Sequence, residues 1–217
     1  HAFDNKLVNG INVLASDGEI VMTTLEGEEH KPPKGATLIC DKTKEPVAIA
    51  GVKGGLKSGI SDETNSLLLE SATFSPMAIR KTSRKIGLIT DASLRYEKSL
   101  DPEMCPTAIE RLVYLLKQTD NGVIITSSLT DEQTFKYPTH NITITEDFIS
   151  RRGGVNLNND NIIDILNRLG FKVEKQGEEL NITVPSWRAT KDVSIKEDLV
   201  EEIKSEYGVE AIAVQAD

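Results

Sequence analysis

One carboxylate, Glu70, sits inside the apolar run Leu67-Leu-Leu-Glu-Ser-Ala72. Strand alternation places it on the face of Leu68 and Ala72, opposite Leu67, Leu69 and Ser71. Such a group either points to solvent or sits in a pocket at a desolvation cost. A second feature is the run Ile49-Ala-Gly-Val-Lys-Gly-Gly-Leu-Lys-Ser-Gly-Ile60. Its glycines let backbone approach a ligand closely, and Lys53 and Lys57 add positive charge. It matches neither a P-loop nor a dinucleotide fingerprint, so a plain surface turn is the competing reading. Third, six Lys/Arg fall between Ile79 and Lys98, with Arg80 and Arg84 at i, i+4 and Arg95 further on. They could hold RNA phosphates or form a solvated helix face. Fourth, Asp198, Glu201 and Glu202 share one helix face behind Asp192. Like charges so close call for a cation, Mg²⁺ among them, or a basic partner, unless Lys196 and Lys204 relieve them.

These groups need a frame. The sequence predicts strands over 11–15, 20–25, 37–41, 46–50 and 67–73, with Asp17-Gly18 as a hairpin turn. Ser75-Pro76 opens a helix stopped near Gly87, and Ile109, Leu112, Val113 and Leu116 mark another after Pro106. Residues 122–126 read as a strand, and the polar stretch 130–140 as a linker. Beyond it lie a strand at 142–145, a helix over about 158–169, a hairpin turning at Gln176-Gly177, and a helix over about 193–207 stopped by Gly208.

Composition bounds the function. The 217 residues are 38% hydrophobic, enough to bury a core, and no apolar run approaches a membrane span. Cys40 and Cys105 form no disulfide framework and suit a reducing compartment. The net charge of −9 argues against a whole-surface nucleic-acid binder. It divides into −3 over 1–138 and −6 over 139–217, so DNA binding by the second part is not expected. The first residues contain neither Met nor a signal-peptide pattern, so the chain is expected to be an excised piece or a processed product.

Several strings together resemble one family in order and spacing. They are His1-Ala-Phe-Asp4, the glycine run, Leu69-Glu-Ser-Ala-Thr-Phe-Ser-Pro76, Arg80-Lys-Thr-Ser-Arg84, Gly87-Leu-Ile-Thr-Asp-Ala-Ser-Leu-Arg-Tyr-Glu97 and Asp101-Pro102. Val184-Pro-Ser-Trp-Arg188 and the stretch from Asp192 to Gly208 extend the likeness. The chain resembles the bacterial-type phenylalanine–tRNA ligase beta subunit, from its central editing region through its fifth domain. The resemblance implies an α+β fold: a mixed-sheet editing domain with packed helices over 1–135, then a small winged-helix-like domain over 139–217. It implies hydrolysis of tyrosine wrongly joined to tRNA(Phe), with His1, Glu70 and Thr90 as catalytic residues and Gly54 and Ala92 shaping the substrate pocket. Glu70 would accept a hydrogen bond from the tyrosine hydroxyl, which phenylalanine lacks.

The resemblance further implies that Arg80, Arg84 and Arg95 steer the tRNA acceptor end. Asp192, Asp198, Glu201 and Glu202 match magnesium positions shared with an alpha subunit. An α2β2 enzyme in the cytoplasm is implied, with ATP used only by the full enzyme and no metal in the editing step. Lys53, Leu94 and Lys98-Ser99-Leu100 depart from the family pattern but leave the pocket positions intact. Two other readings stand beside this one: a non-catalytic scaffold for RNA binding and subunit assembly, and a free-standing trans-editing deacylase.

Overall fold

A computed structural model describes residues 1–134 and 139–208. It divides into two compact units, 1–132 and 133–217. The linker expected over 130–140 lies partly outside the described residues.

The first unit is built on a four-stranded antiparallel sheet in the order β2 (Asn12–Ala15), β5 (Thr37–Cys40), β6 (Pro46–Ile49), β7 (Lys53–Gly54). Its central strands bury both faces. Leu38, Cys40 and Ile49 cluster with Met22, Val52 and Ile79, whereas Ile39 and Ala48 cluster with Phe3, Val8 and Ala50. The second cluster is closed by a two-stranded ribbon of β1 (Ala2–Asp4) and β8 (Leu67–Leu69), followed in the chain after β1 by α1 (Asn5–Val8). The first is closed by α2 (Pro76–Lys85), which brings Ile79, and by Met22 from β3 (Met22–Thr23). That strand pairs with β4 (Glu29–His30). α3 (Asp91–Tyr96) packs beside α2. α4 (Cys105–Thr119) presents Ile109, Leu112, Val113 and Leu116 at helical spacing, but all four are only half-buried.

Several expectations for this unit change. Asp17-Gly18 does turn, with Gly18 at φ +91°, yet β2 pairs with β5, not with the run that follows the turn. That run keeps only β3, because its partner is β4. The strand expected over 67–73 ends at Leu69, where its short partner β1 runs out. Residues 122–126 are apolar and β-branched but have no neighbouring strand. They form none, and Ile124 is 80% exposed.

The second unit has a three-stranded antiparallel sheet in the order β10 (Lys172–Gln176), β11 (Glu179–Val184), β9 (His140–Thr145). α5 (Glu146–Gly153), α6 (Asn159–Arg168) and α8 (Lys196–Tyr207) pack with it around one core. Ile149, Ile162, Leu166, Leu180, Ile182, Leu199 and Ile203 are fully buried there. The short α7 (Ser186–Ala189) and α5 were not evident from periodicity, each being too brief to show it. The α+β class is as expected, with the second unit the small α+β body of the pair. No helix among the described residues is long and apolar enough to cross a membrane.

Candidate active site

The β1–β8 register carries the site. Ala2 pairs with Leu69, so His1 and Glu70 stand opposite one another at the next step. They exchange both main-chain hydrogen bonds: the His1 amino group donates to the Glu70 carbonyl at 2.7 Å, and the Glu70 N–H donates to the His1 carbonyl at 2.9 Å. Cross-strand partners share a face, so His1 and Glu70, 69 positions apart in sequence, present their side chains on the same side of the ribbon. The His1 ring stacks on the fully buried Phe3, with centroids 4.4 Å apart.

Gly54 completes this contact. A Cβ there would stand 2.7 Å from His1 Cε1 and 3.0 Å from Nε2. Only a residue without a side chain lets the imidazole lie over β7. Thr90 is tied to the same strand region: its hydroxyl donates to the Val52 carbonyl at 2.8 Å and accepts from the Ser93 N–H at 3.1 Å. With the Ser93 hydroxyl accepting from the Thr90 N–H, this forms a capping box at the start of α3. Thr90 therefore positions α3 against the glycine run, and Ala92, half-buried, sits in the first turn that Thr90 caps. The His1 ring is thus brought directly to Gly54, and its main chain to that of Glu70, while Thr90 and Ala92 belong to the helix anchored to Val52 of the glycine run.

Glu70 is half-buried, and no group among the described residues hydrogen-bonds its carboxylate. Burial pushes this carboxyl up from its usual value, and the His1 amino group opposes that shift. Tyr96, at the end of α3, is a neighbour that sequence reading missed. Its phenol is pushed up by burial first and then by the Glu70 charge, and its ring packs 5.4 Å from that of Phe74. No local pattern signals this proximity, which depends on how α3 docks.

The lysines of the glycine run are not free for phosphate. Lys57 pairs with Glu45 at 3.0 Å, and Lys53 pairs with Glu26. Ser58 is spent as well, donating to the carbonyls of Val47 and Gly55. Arg80 and Arg84 are exposed on α2, and Arg95 is exposed on α3. None of the three takes part in an ion pair among the described residues. A surface cleft of about 380 Å³, lined by His30, Lys31, Pro33 and Lys85 among others, lies elsewhere; of the groups considered above it takes in only Lys85, from the basic cluster.

The acidic face of the second unit is organised differently. Arg188 reaches Asp192 through Nε and clamps Glu202 with both terminal nitrogens, at 3.1 and 2.6 Å. The two-pronged grip on Glu202, then Asp192, raises the affinity of the guanidinium for its proton. Asp198 accepts from the N–H groups of Ser194 and Ile195 at 2.7 and 2.9 Å. Burial alone would raise its pKa, but these donors reverse the sign and hold it below the ordinary carboxylate range. Glu201 remains exposed. Among the described residues no three ligating side chains converge. The four acids as arranged do not fit a divalent cation within this chain alone. The i, i+4 spacing of Arg188 and Asp192 was the available sequence signal for the clamp.

Two family profiles match this frame. The profile described as "B3/4 domain" matches residues 1–121, more than half of the chain, and that described as "tRNA synthetase B5 domain" matches residues 142–209. The chain belongs to the B3/4 domain family. Its B3/4 unit holds the His1–Glu70 pair, and its B5 unit holds the Arg188 clamp. Over 98% of its length the chain is 36% identical to the phenylalanine–tRNA ligase beta subunit of Staphylococcus epidermidis and 37% identical to that of Salinibacter ruber. It is 39% identical to the beta subunit of Yersinia pestis over its whole length. It spans only about a quarter of these relatives, 25–27% of their length. Among solved structures, an N-terminal fragment of the phenylalanyl-tRNA synthetase beta subunit from Pyrococcus horikoshii matches 96% of this chain and 59% of that one. The TM-score is 0.50 at 14% identity, a likeness of fold.

Proposed function

We propose that the B3/4 unit hydrolyses the ester joining tyrosine to tRNA(Phe), as the proofreading part of a phenylalanine–tRNA ligase. The observation that carries this reading is the unspent Glu70 carboxylate, set across the ribbon from His1, whose ring lies over Gly54. The tyrosine phenol donates to the ionised carboxylate. Phenylalanine leaves it half-buried and unpaired, which is how a site built around one hydroxyl rejects the analogue lacking it. Water adds to the ester carbonyl carbon, the bond to the ribose oxygen breaks, and that oxygen takes the proton the water gives up. His1 orients the water or the terminal adenosine, and Thr90 and Ala92 hold the neighbouring wall. Positioning supplies most of the acceleration. The unpaired Arg80, Arg84 and Arg95 hold acceptor-stem phosphates.

The rest of the ligase belongs to the same proposal: an alpha subunit as partner in an α2β2 assembly, ATP used by the whole enzyme, and a cytoplasmic setting. An assembly role for this chain has its own support. Tyr114 and Leu115 of α4, with Ile124 and Ile125 after it, are exposed apolar residues. The test is incubation of the chain with tyrosyl-tRNA(Phe) and phenylalanyl-tRNA(Phe), following release of each amino acid. The native chain should release tyrosine and spare phenylalanine, and Glu70→Ala should lose the tyrosine reaction. An unchanged tyrosine rate in that variant removes the proposal.

A further inference from the structure

The His1–Glu70 pair depends on a ribbon of three residue pairs, Ala2–Leu69, Phe3–Leu68 and Asp4–Leu67, with no further strand on either side among the described residues. A two-stranded ribbon this short is marginal by itself. A slip of one residue would turn Glu70 to the opposite face. Hydrophobic burial resists such a slip poorly here. Phe3 packs against Leu68, and a shift in either direction replaces Leu68 with another leucine, Leu67 or Leu69. Phe3 therefore meets a leucine in all three registers; a slip changes the ends of the ribbon, setting Ser66 against Asp4 or Glu70 against Ala2, so contacts at the ends must choose among them.

Polar contacts at the far end of the ribbon are directional. Asp4 is only 6% exposed. Its carboxylate accepts from the Lys6 N–H at 2.8 Å and from the Thr64 hydroxyl at 2.7 Å. The Thr64 oxygen in turn accepts from the Ser61 N–H at 3.0 Å. Alongside, Asn5 donates through its N–H to the Ser66 carbonyl at 2.9 Å and through its amide to the Ser66 hydroxyl at 3.1 Å. The segment leading into β8 is therefore fastened to the segment leaving β1, three residues before Leu67.

We infer that Asp4 is a positioning residue for the candidate site, acting through Thr64 to select the register in which Glu70 meets His1. This rests on the proofreading proposal for its catalytic consequence, but the register itself can be read without tRNA. The hydrogen bond from Thr64, followed by that from Lys6, also holds the Asp4 carboxyl below its usual range, so it remains the charged acceptor.

The test uses Thr64→Val in the 217-residue chain, which leaves the Lys6 contact of Asp4 in place, with Thr64→Ser restoring the hydroxyl. Hydrogen exchange of the Glu70 N–H reads the register. Thr64→Val should speed it at least tenfold relative to the Ile39 N–H of the central sheet, and Thr64→Ser should restore it. In deacylation, Thr64→Val should lower kcat for tyrosyl-tRNA with KM unchanged. Exchange at Glu70 that stays at the native rate, or rises no more than at Ile39, overturns the inference, as does failure of Thr64→Ser to restore it. If the native chain releases no tyrosine, the proofreading proposal falls and the exchange comparison still decides the clamp.

Discussion

Glu70 and the acids from Asp192 to Glu202 each read in the sequence as carboxylates that could take a partner, but the structure treats them oppositely. Asp192 and Glu202 are held by Arg188, and Asp198 is consumed by two N–H donors. Glu70 is half-buried with no donor on its carboxylate among the described residues. Asp192, Asp198 and Glu202 of the B5 unit are already engaged by their own chain, with Glu201 exposed, whereas the carboxylate of the B3/4 unit is left for something to come. An unsatisfied half-buried carboxylate is costly to keep, and this cost distinguishes a binding group from a structural one better than the charge pattern does.

The contrast can be broken in four places. The largest effect is expected at Glu70: Ala there removes a charged hydrogen bond to the phenol worth about 1.5–3 kcal/mol, roughly 10- to 150-fold in tyrosyl-tRNA deacylation. Phenylalanine release should barely move, and thermal stability should hold or rise slightly because an unpaired half-buried carboxylate is removed, as activity and melting assays would show. Arg188→Gln should do the reverse. It leaves Asp192 and Glu202 facing each other without their cation, lowering stability of the B5 unit by about 1.5–3 kcal/mol in denaturant titration, with deacylation intact. Gly54→Ala tests whether the His1 ring must lie where it does. The added methyl overlaps the imidazole and should cost about 1–3 kcal/mol, divided between stability and tyrosine turnover.

The smallest effects are in pH. Glu70 titrates above its ordinary value, so its contribution to stability is present below the unfolded pKa and is lost as pH rises through the folded one. Asp198 runs the other way: its contribution is present above its unfolded value and is lost as pH falls through a folded value lower still. Glu70→Gln should therefore flatten the stability profile on the upper side of the carboxylate range, and Asp198→Asn should flatten it on the lower side. Selectivity for tyrosine should decline on acidification from a higher pH than an ordinary carboxylate would give.

Local signals carried much of the frame. Ser75-Pro76 opens α2, Ile162, Ile165 and Leu166 mark α6, the Gln176-Gly177 turn joins β10 to β11, and Gly208 ends α8. What stayed hidden depends on distant partners. Nothing near His1 announces that it will lie against residue 70, because a pairing across 69 positions leaves no local periodicity. The spacing of Thr90 and Ser93 was a readable cap but too short a pattern to reveal α3. Residues 122–126 have every local mark of a strand and lack only a neighbour, which is why β propensity misled there. Around the candidate site, the resemblance named the residues, while the neighbours that hold them, Phe3, Val52 and Asp4, emerged only from the contacts.

Three successive leucines in one strand of a two-strand ribbon separate the packing of Phe3 from the aim of Glu70. Deleting a single residue between 61 and 66 would keep a leucine against Phe3 while turning the acid to the other face of the ribbon. On the proofreading proposal, such a protein would show its defect in tyrosine release before it showed one in packing.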